Sequence, residues 1–199
     1  FLAPCAVRVD IAGGLLYVAD SNNNQVRTIA IAGSHTVATL ATLPARTRTI
    51  ALDTAARIMY VAVLYSVYVV TYAGVPTLLA GSSSVSGYAD SISSVARFDT
   101  IEAFALDVHA GVLYAADFGN HRIRQITTNS GVVNTLAGSG APSFTDGIGT
   151  AAAFKGPMGL EIDTIRGALY VGDSNNNAIR QVQLSLPNPV LLSYAPIPP

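Results

Sequence analysis

Three aspartates in this 199-residue sequence each precede a turn sequence that contains Asn, and each is followed, seven residues later, by an arginine. The pairs are Asp20 with Arg27, Asp117 with Arg124 and Asp173 with Arg180. An Asn-rich or Gly-Asn stretch follows each aspartate, and such stretches form turns in which short polar side chains accept backbone hydrogen bonds. An arginine that returns across the turn can donate to the carboxylate. We therefore interpret these six residues as structural braces of a repeated hairpin.

Metal binding is the alternative use of the same turns. A calcium loop gathers several carboxylates, whereas each of these turns carries one. The spacing of cysteine and histidine also matches no zinc site. We therefore expect no metal site and no cofactor.

Histidines would be the natural acid–base groups of a catalytic site. The sequence has three, and the predicted strands place His35 and His109 in turns on one face of the fold, with His121 on the opposite face. They cannot converge on one substrate. No Ser, His and Asp grouping carries the local signature of a nucleophile elbow either. We therefore expect no catalytic residue.

The composition limits the partners. Charged residues make up 12% of the sequence, whereas soluble domains carry roughly 25%. Lys155 is the only lysine and the formal net charge is −1, so the chain lacks the basic surface that neutralises phosphates. No apolar run reaches the roughly 20 residues that span a bilayer. We expect no nucleic-acid partner and no membrane span.

The start of the chain raises two expectations. Cys5 is the only cysteine, which excludes an internal disulfide. We expect its thiol to be buried, with a free thiol for an external partner as the alternative. The chain begins at Phe1 and not at Met, so we expect that a leader or preceding domains have been removed.

The elements that position the braces belong to an internal repeat. The stretch from Val9 to Arg27 recurs from Ile162 to Arg180, with a third copy around Tyr114 and a weaker one around Tyr60. The tyrosines that mark the register, Tyr17, Tyr60, Tyr114 and Tyr170, recur at intervals of 43, 54 and 56 residues. Such intervals fit units of four short strands with variable loops. We therefore predict an all-β fold.

The joins between repeats identify a family. One join reads Thr135-Leu136-Ala137-Gly138, then Thr145-Asp146-Gly147, then Ala153-Phe154 and Gly156-Pro157-Met158-Gly159-Leu160. An eroded copy reads Leu78-Leu79-Ala80-Gly81, Gly87-Tyr88-Ala89-Asp90 and Ala96-Arg97-Phe98. With the hairpins, this pattern resembles the NHL-repeat β-propeller family over nearly the whole chain. The resemblance implies a β-propeller, commonly of six blades.

Four NHL-type blades are therefore predicted, as a closed four-bladed ring or as part of a larger propeller. We assign residues 1–194 to the propeller domain, with units at about 1–43, 44–96, 97–153 and 154–194. We expect residues 195–199 to form a proline-rich linker or an exposed recognition tail, in which Pro196, Pro198 and Pro199 are the candidate exposed or modified residues. An open arc of blades would leave unpaired edges, which neighbouring domains or other copies of the chain would protect.

The second unit departs from the others. Val63, Ser66 and Val70 replace the expected Asp, Asn and Arg. Tyrosines also gather there, and Tyr65, Tyr68 and Tyr72 are candidates for an aromatic contact surface. The alternative is a degenerate blade in which packing replaces the polar brace.

The function expected from these features is non-catalytic binding. We predict an extracellular or cell-surface scaffold that contacts proteins or glycans, or that assembles with copies of itself, because lysine is rare, Ser and Thr are abundant and the end is rich in proline. The first alternative is a propeller enzyme of the lyase or hydrolase kind with a central-channel site. The second is an RNA-binding NHL domain, for which the basic face is missing.

Overall fold

Short β-branched and apolar runs form the strands, and many of these end at an aspartate, as at Asp10, Asp53 and Asp107. The structure, a computed structural model, describes residues 1–184 and 191–193. Within them the chain is all-β, with strands in four antiparallel sheets and four single 3₁₀ turns. No described helix has the length and apolarity needed to cross a membrane.

The strands follow one another in chain order within each sheet. Sheet 1 contains β1 (Pro4–Asp10), β2 (Leu15–Asp20), β3 (Gln25–Ala30) and β4 (Val37–Thr42). Sheet 2 contains β5 (Thr47–Asp53), β6 (Ile58–Val63), β7 (Ser66–Thr71) and β8 (Pro76–Gly81). Sheet 3 contains β10 (Ile101–Asp107), β11 (Val112–Asp117), β12 (Arg122–Thr127) and β13 (Val132–Ala137), with β9 (Ser91–Ile92) added beside β13. Sheet 4 contains β14 (Pro157–Asp163), β15 (Ala168–Asp173), β16 (Ala178–Gln183) and β17 (Leu191–Ser193).

The turns between the second and third strands of sheets 1, 3 and 4 share one left-handed residue. Asn24, His121 and Asn177 have φ of 56°, 56° and 52°. Asn and His tolerate this region better than most side chains do. His121 is thus placed by the backbone of its turn, and its Nδ1 accepts a hydrogen bond from Gly156 N at 3.1 Å.

The core lies between successive sheets. The inner strands β1, β5, β10 and β14 are neighbours in that order. Three apolar clusters fill the spaces between sheets 1 and 2, between sheets 2 and 3, and between sheets 3 and 4. This layering is propeller-like, and no closed ring is detected among the described residues.

Several predicted features fall outside the described residues. They include the whole tail, 195–199, with its candidates Pro196, Pro198 and Pro199, and also residues 185–190 and Tyr194. The backbone of Leu191–Ser193 pairs with β16 and so forms the outer strand of sheet 4.

The expectation that the Cys5 thiol is buried is wrong. Cys5 is exposed, and its Sγ donates to the backbone oxygen of Arg48 at 2.9 Å. The corresponding positions of β5 and β10 are Arg48 and Glu102, which form an ion pair at 3.3 Å. Cys5 therefore occupies a row of inner-strand positions that carries charge in the neighbouring sheets.

Candidate functional site

The aspartates of sheets 1, 3 and 4 hold the start of their own inner strand. Asp20, Asp117 and Asp173 each accept a backbone N–H at 2.6, 2.8 and 2.7 Å, from Leu2, Asp99 and Lys155 respectively. Each also accepts an amide hydrogen bond from an asparagine three residues further on, namely Asn23, Asn120 and Asn176. This half of the network is the same in all three sheets.

In sheet 3 a buried arginine joins that aspartate to the connection that precedes the sheet. Arg124 donates from Nη1 to Asp117 Oδ2 at 2.7 Å and from Nη2 to Asp90 Oδ1 at 2.6 Å. It also donates to the backbone oxygens of Ala89 and Arg97, both at 2.9 Å. One guanidinium thus holds two carboxylates and two carbonyls.

Sheet 4 repeats the arrangement atom for atom. Arg180 donates to Asp173 Oδ2 at 3.0 Å and to Asp146 Oδ1 at 2.6 Å. The backbone oxygens of Thr145 and Ala153 accept at 3.0 and 3.1 Å. Both arginines therefore bind an aromatic-x-Asp segment, which we define as Tyr88–Asp90 in one case and Phe144–Asp146 in the other.

Aromatic rings complete the two arginine sites. The guanidinium of Arg124 lies 5.0 Å from the ring centroids of both Tyr88 and Phe98. That of Arg180 lies 4.3 Å from Phe144 and 5.4 Å from Phe154. Cation–π attraction at such distances adds to the hydrogen bonds because the guanidinium is desolvated. In each sheet the first ring belongs to the aromatic-x-Asp segment and the second lies three residues before the inner strand.

Sheet 1 has only the first half of this network. Arg27 lies 3.5 Å from Asp20, and its side chain is 23% exposed, whereas those of Arg124 and Arg180 are fully buried. Its remaining contacts are long hydrogen bonds to Ala38 O at 3.3 Å and to Gln25 at 3.4 Å. The ring of Phe1, which corresponds to Phe98 and Phe154, lies 5.5 Å away. Among the described residues, no second carboxylate reaches Arg27.

Sheet 2 lacks the brace altogether. Its strands β6 and β7 are joined by only two residues, so Val61 pairs with Tyr68 where Ala115 pairs with Arg124 in sheet 3. The alignment that put Val70 at the arginine position is therefore wrong, because it assumed a turn of equal length. Tyr68 takes that position, and Val63 takes the position of the aspartate.

The three tyrosines proposed as a contact surface are half-buried. Tyr68 and Tyr72 pack against the apolar cluster between sheets 1 and 2, and the ring of Tyr72 contacts that of Tyr17 in a tilted arrangement, with centroids 5.1 Å apart. The guanidinium of Arg57 lies 5.4 Å from the centroid of the Tyr72 ring. Tyr65 sits in the two-residue turn. These contacts favour the packing interpretation of the second unit.

The braces differ in their electrostatics. Burial raises the pKa of Asp117 to about 6, against the opposing effect of Asn120 and Arg124. Burial acts in the same direction on Asp20, but hydrogen bonds from Asn23 and Leu2 and the charge of the N-terminus outweigh it, so the pKa of Asp20 lies below its usual range. The ion pairs of the two aspartates differ as well. Asp117 shares Arg124 with Asp90, whereas Asp20 is the one carboxylate that pairs with Arg27 among the described residues.

The histidines do not meet. His35 lies between β3 and β4, His109 between β10 and β11, and His121 between β11 and β12. In the part of the chain that the structure describes, no group of three or more His, Cys, Asp or Glu side chains is arranged to hold a metal ion.

The two end faces of the arc are the candidate interaction surfaces. On sheet 4, Ile179 is 57% exposed, although the residues in the same register, Val26, Val67 and Ile123, are fully buried by the next sheet. Tyr170 lies beside it, opposite Gln181 in β16, and an open depression lined by Tyr170, Gly172 and Ile179 covers this face. We call it the sheet 4 face.

At the opposite end, the inner strand of sheet 1 exposes apolar residues that the other sheets bury. Val7 in β1 is 52% exposed, whereas its counterparts Ile50 and Phe104 are 0% and 3% exposed because the preceding sheet covers them. Phe1 and Val9 are exposed on the same side. We call this surface the sheet 1 face. Each interface between successive described sheets is formed by one face of each type. The sheet 4 face has the residues that one sheet contributes to such an interface, and the sheet 1 face has those that the next sheet contributes.

The sequence did not identify Asp90 and Asp146 as partners of the arginines. Both lie 34 residues before the arginine that they bind, outside the hairpin that carries the other partners. The signal that could have found them is the aromatic residue two positions earlier, Tyr88 or Phe144, together with an arginine at a constant distance.

No family model matches the chain. Protein SUPPRESSOR OF QUENCHING 1, chloroplastic, of Arabidopsis thaliana is 40% identical over 75 residues, which are 38% of this chain and 7% of that protein. NHL repeat-containing protein 2 of Bos taurus is 33% identical over 104 residues, which are 49% of this chain and 14% of that protein. The chain thus spans a small part of the curated relatives that it matches.

Solved structures match over almost the whole chain. An auxiliary nutrient binding protein from Bacteroides ovatus has a TM-score of 0.78 at 20% identity, covering 96% of this chain and 48% of that one. A streptogramin B lyase has a TM-score of 0.69 at 12% identity, covering 98% of this chain and 55% of that one. At these identities the likeness shows the fold alone. Together with the repeats and the curated matches, it supports a likeness to the NHL-repeat β-propeller family.

Proposed function

We propose that the chain is a non-catalytic binding and assembly module that joins further protein through the sheet 1 face and the sheet 4 face. The observation that carries the proposal is the exposure of Ile179 at a register position that is buried in the three other sheets. Exposed apolar surface of this kind marks a protein contact site. The binding proteins among the structural neighbours are consistent with this function.

The geometry of the two faces supports protein as the partner. An incoming sheet meets Tyr170, Gly172 and Ile179 on one side, and small and branched apolar residues of this type form the interfaces between the sheets of the chain itself. Covering these positions removes apolar area from water, which stabilises association in proportion to the area buried. Partners are further domains of the same polypeptide, other copies of the chain or other proteins.

The test is the molar mass of the purified chain in solution, measured by light scattering over a concentration series. We expect a mass that rises with concentration, and we expect Ile179→Asp to restore the monomer because a buried unpaired carboxylate opposes association. Ile165→Asp is the matched control, since Ile165 is 94% exposed in a turn outside both faces. A compact monomer at every concentration would contradict self-association and direct attention to a ligand of the inner surface.

A lyase-like activity is the second candidate. It rests on the streptogramin B lyase among the structural neighbours, which shares the fold at 12% identity. Elemental analysis for bound metal, followed by an activity screen of the metal-loaded protein, distinguishes an enzyme from a binding module. Bound stoichiometric metal would favour the enzyme.

We also propose an extracellular or cell-surface location. The proposal rests on the single lysine, the abundance of Ser and Thr and the proline-rich end of the sequence. Intact mass spectrometry of the protein from its native source tests it, because O-linked glycans add mass. Glycans or other proteins that contact the chain would then be sought outside the cell.

A further inference from the structure

Between successive sheets, the tyrosine that marks the register of one sheet meets the residue that follows the third strand of the next. The residues in that position are Tyr72 in sheet 2, Thr128 in sheet 3 and Leu184 in sheet 4. The backbone N–H of each donates to the turn between the first two strands of its own sheet, so the three positions are equivalent. Tyr60 of sheet 2 thus meets the hydroxyl of Thr128, whereas Tyr17 of sheet 1 meets a second phenol, that of Tyr72.

The Tyr17–Tyr72 pair holds two phenols in contact. Tyr17 is 1% exposed and Tyr72 is half-buried. Their ring centroids lie 5.1 Å apart with the ring planes inclined by 37°, which is within the range of contacting aromatic rings. Burial raises the pKa of both phenols, and each phenol also shifts the pKa of the other. The hydroxyl ends of the two rings, and the ortho carbons beside them, are therefore neighbours, and both phenols are neutral at pH 7.

The pair lies at the interface that has no arginine brace. In sheets 3 and 4 a buried arginine binds a carboxylate of the connection that precedes the sheet. Sheet 2 has Tyr68 at the arginine position, so among the described residues no arginine ties this sheet to the connection from sheet 1. A covalent bond between Tyr17 and Tyr72 would join these two sheets directly.

We propose that Tyr17 and Tyr72 are a site of oxidative cross-linking, at which a one-electron oxidant converts the two phenols into a dityrosine. Two equivalents of the oxidant are reduced as each phenol gives up one electron and its hydroxyl proton, which leaves two phenoxyl radicals. The radicals form a carbon–carbon bond between their ortho carbons. The hydrogens on those two carbons leave as protons while the two phenolic oxygens each take up a proton. The product keeps both hydroxyls and has lost two hydrogen atoms.

The surroundings of the pair define the order of events. The half-buried ring of Tyr72 is the one that an oxidant in solution can approach, and Tyr17 is then oxidised through its contact with Tyr72. Besides burial, the charge of Asp10 raises the pKa of both phenols, so this carboxylate lies close enough to accept the protons that they release. The burial of Tyr17 also prevents it from coupling with a second molecule.

The experiment exposes the chain to photogenerated tris(bipyridyl)ruthenium(III), a small one-electron oxidant, and maps the tryptic peptides by mass spectrometry. Trypsin leaves Tyr17 as the single tyrosine of peptide 9–27 and Tyr72 in peptide 58–97. We expect these two peptides to be joined with the loss of two hydrogen atoms, and fragmentation to place the bond at Tyr72. The urea midpoint of the joined chain should rise, because a cross-link restricts the unfolded state.

The variant Tyr72→Phe keeps the ring but removes the phenol, and it should abolish both the joined peptides and the rise in urea midpoint. Tyr60→Phe is the matched control, since Tyr60 has the register of Tyr17 but faces Thr128. Tyr68→Phe tests the neighbouring phenol, and both of these variants should give the same yield as the unchanged chain. Joined peptides that persist in Tyr72→Phe, or their absence under conditions that oxidise the exposed Tyr88, would overturn the site.

Discussion

At the residue scale, the arginine braces convert a local hairpin into a tie between sheets. Arg124 reaches its own hairpin through Asp117 and the preceding connection through Asp90. The buried guanidinium has its charge compensated by the two carboxylates, and removing it leaves the buried carboxylate of Asp117 without its ion-pair partner. The brace therefore contributes to the position of sheets 3 and 4 relative to the connections that precede them.

Replacing equivalent arginines should have unequal costs. We expect Arg124→Gln to lower the free energy of unfolding by about 3 kcal/mol or more, as the loss of one partner of a buried pair does. Arg27→Gln should cost less than about 1 kcal/mol because a partly exposed pair contributes little. Urea denaturation of the two variants at neutral pH measures the difference. Equal costs would mean that the second carboxylate does not matter.

The pH dependence of stability should have opposite signs for two of the aspartates. The pKa of Asp117 is about 6 in the folded protein, and an unfolded chain has about 3.9. Between these values the folded state holds a proton that the unfolded state lacks. The stability of the unchanged protein relative to Asp117→Asn should therefore rise as the pH falls from about 7 to about 4.

Asp20 serves as the comparison. Its pKa is lowered in the folded protein, so its stabilising contribution is complete above the unfolded value and disappears as the pH falls through the folded value. The advantage over Asp20→Asn should stay constant down to about pH 5 and shrink below pH 4. Urea midpoints from pH 7 to pH 3 test both profiles. Parallel profiles for the two variants would refute the distinction.

The residue scale also shows what sequence can provide. Asp117 and Arg124 lie on one hairpin, whose register is fixed by its turn, so their spacing alone brings them together. Asp90 joins them from a connection 34 residues away from Arg124, and no local pattern fixes that distance. The exposure of Cys5 and the half-burial of Tyr68 depend on neighbouring sheets, which a single repeat does not reveal.

At the element scale, turn length determines which residues correspond. Sheet 2 replaces a four-residue turn by Leu64 and Tyr65, with Leu64 in the left-handed region at φ 50°. The strand pairing is otherwise conserved, so Tyr68 faces the place that arginine has elsewhere. Polar bracing and aromatic packing are thus alternative ways to hold the same strand. The repeat predicted the sheets correctly, but the shortened turn shifted the alignment within one of them.

Glycines in the turns between third and fourth strands should be needed for contact between sheets. Gly131 has φ 68°, and a Cβ there would overlap the backbone oxygen of Leu79 in the preceding sheet. Gly111 has a similar φ of 66°, but a Cβ there would make only an ordinary contact, with Thr128 Oγ1 at 3.4 Å. Gly111→Ala should cost about 1 kcal/mol for the left-handed backbone alone.

Gly131→Ala should cost more than Gly111→Ala, because the backbone of β8 or the turn itself must move. Thermal unfolding of the two variants side by side measures this excess. The comparison isolates the contact between sheets, since the two glycines have nearly the same φ. A shift in melting temperature no larger than that of Gly111→Ala would show that the sheets can separate at their outer strands without loss.

At the scale of the whole molecule, residues 1–184 and 191–193 form a row of four sheets with three internal interfaces, and no described residue covers the outer faces of sheets 1 and 4. Each end carries the residues that form one half of the internal interface. Contact between such ends is heterologous, and it closes a ring only if the rotation between sheets allows it. The light-scattering mass distinguishes a closed assembly of fixed size from an open one that continues to grow.

The uncovered end predicts different costs for one substitution at equivalent positions. Ile123 pairs with Ala116 and is buried, and Ile179 pairs with Gly172 and is 57% exposed. Ile123→Ala should cost about 3 kcal/mol, as truncation of a buried isoleucine does. Ile179→Ala should cost less than about 1 kcal/mol in dilute solution, because an exposed side chain has little packing to lose.

The stability lost in Ile179→Ala should depend on protein concentration. If another sheet covers the sheet 4 face, association stabilises the folded state by mass action and Ile179 becomes part of an interior. The loss of stability from Ile179→Ala should then increase towards that of Ile123→Ala as the concentration is raised, whereas the cost of Ile123→Ala should stay constant. Chemical denaturation at low and high protein concentration provides the measurement. A constant difference between the two variants would show that the sheet 4 face stays uncovered and that the exposed isoleucine serves no contact between copies.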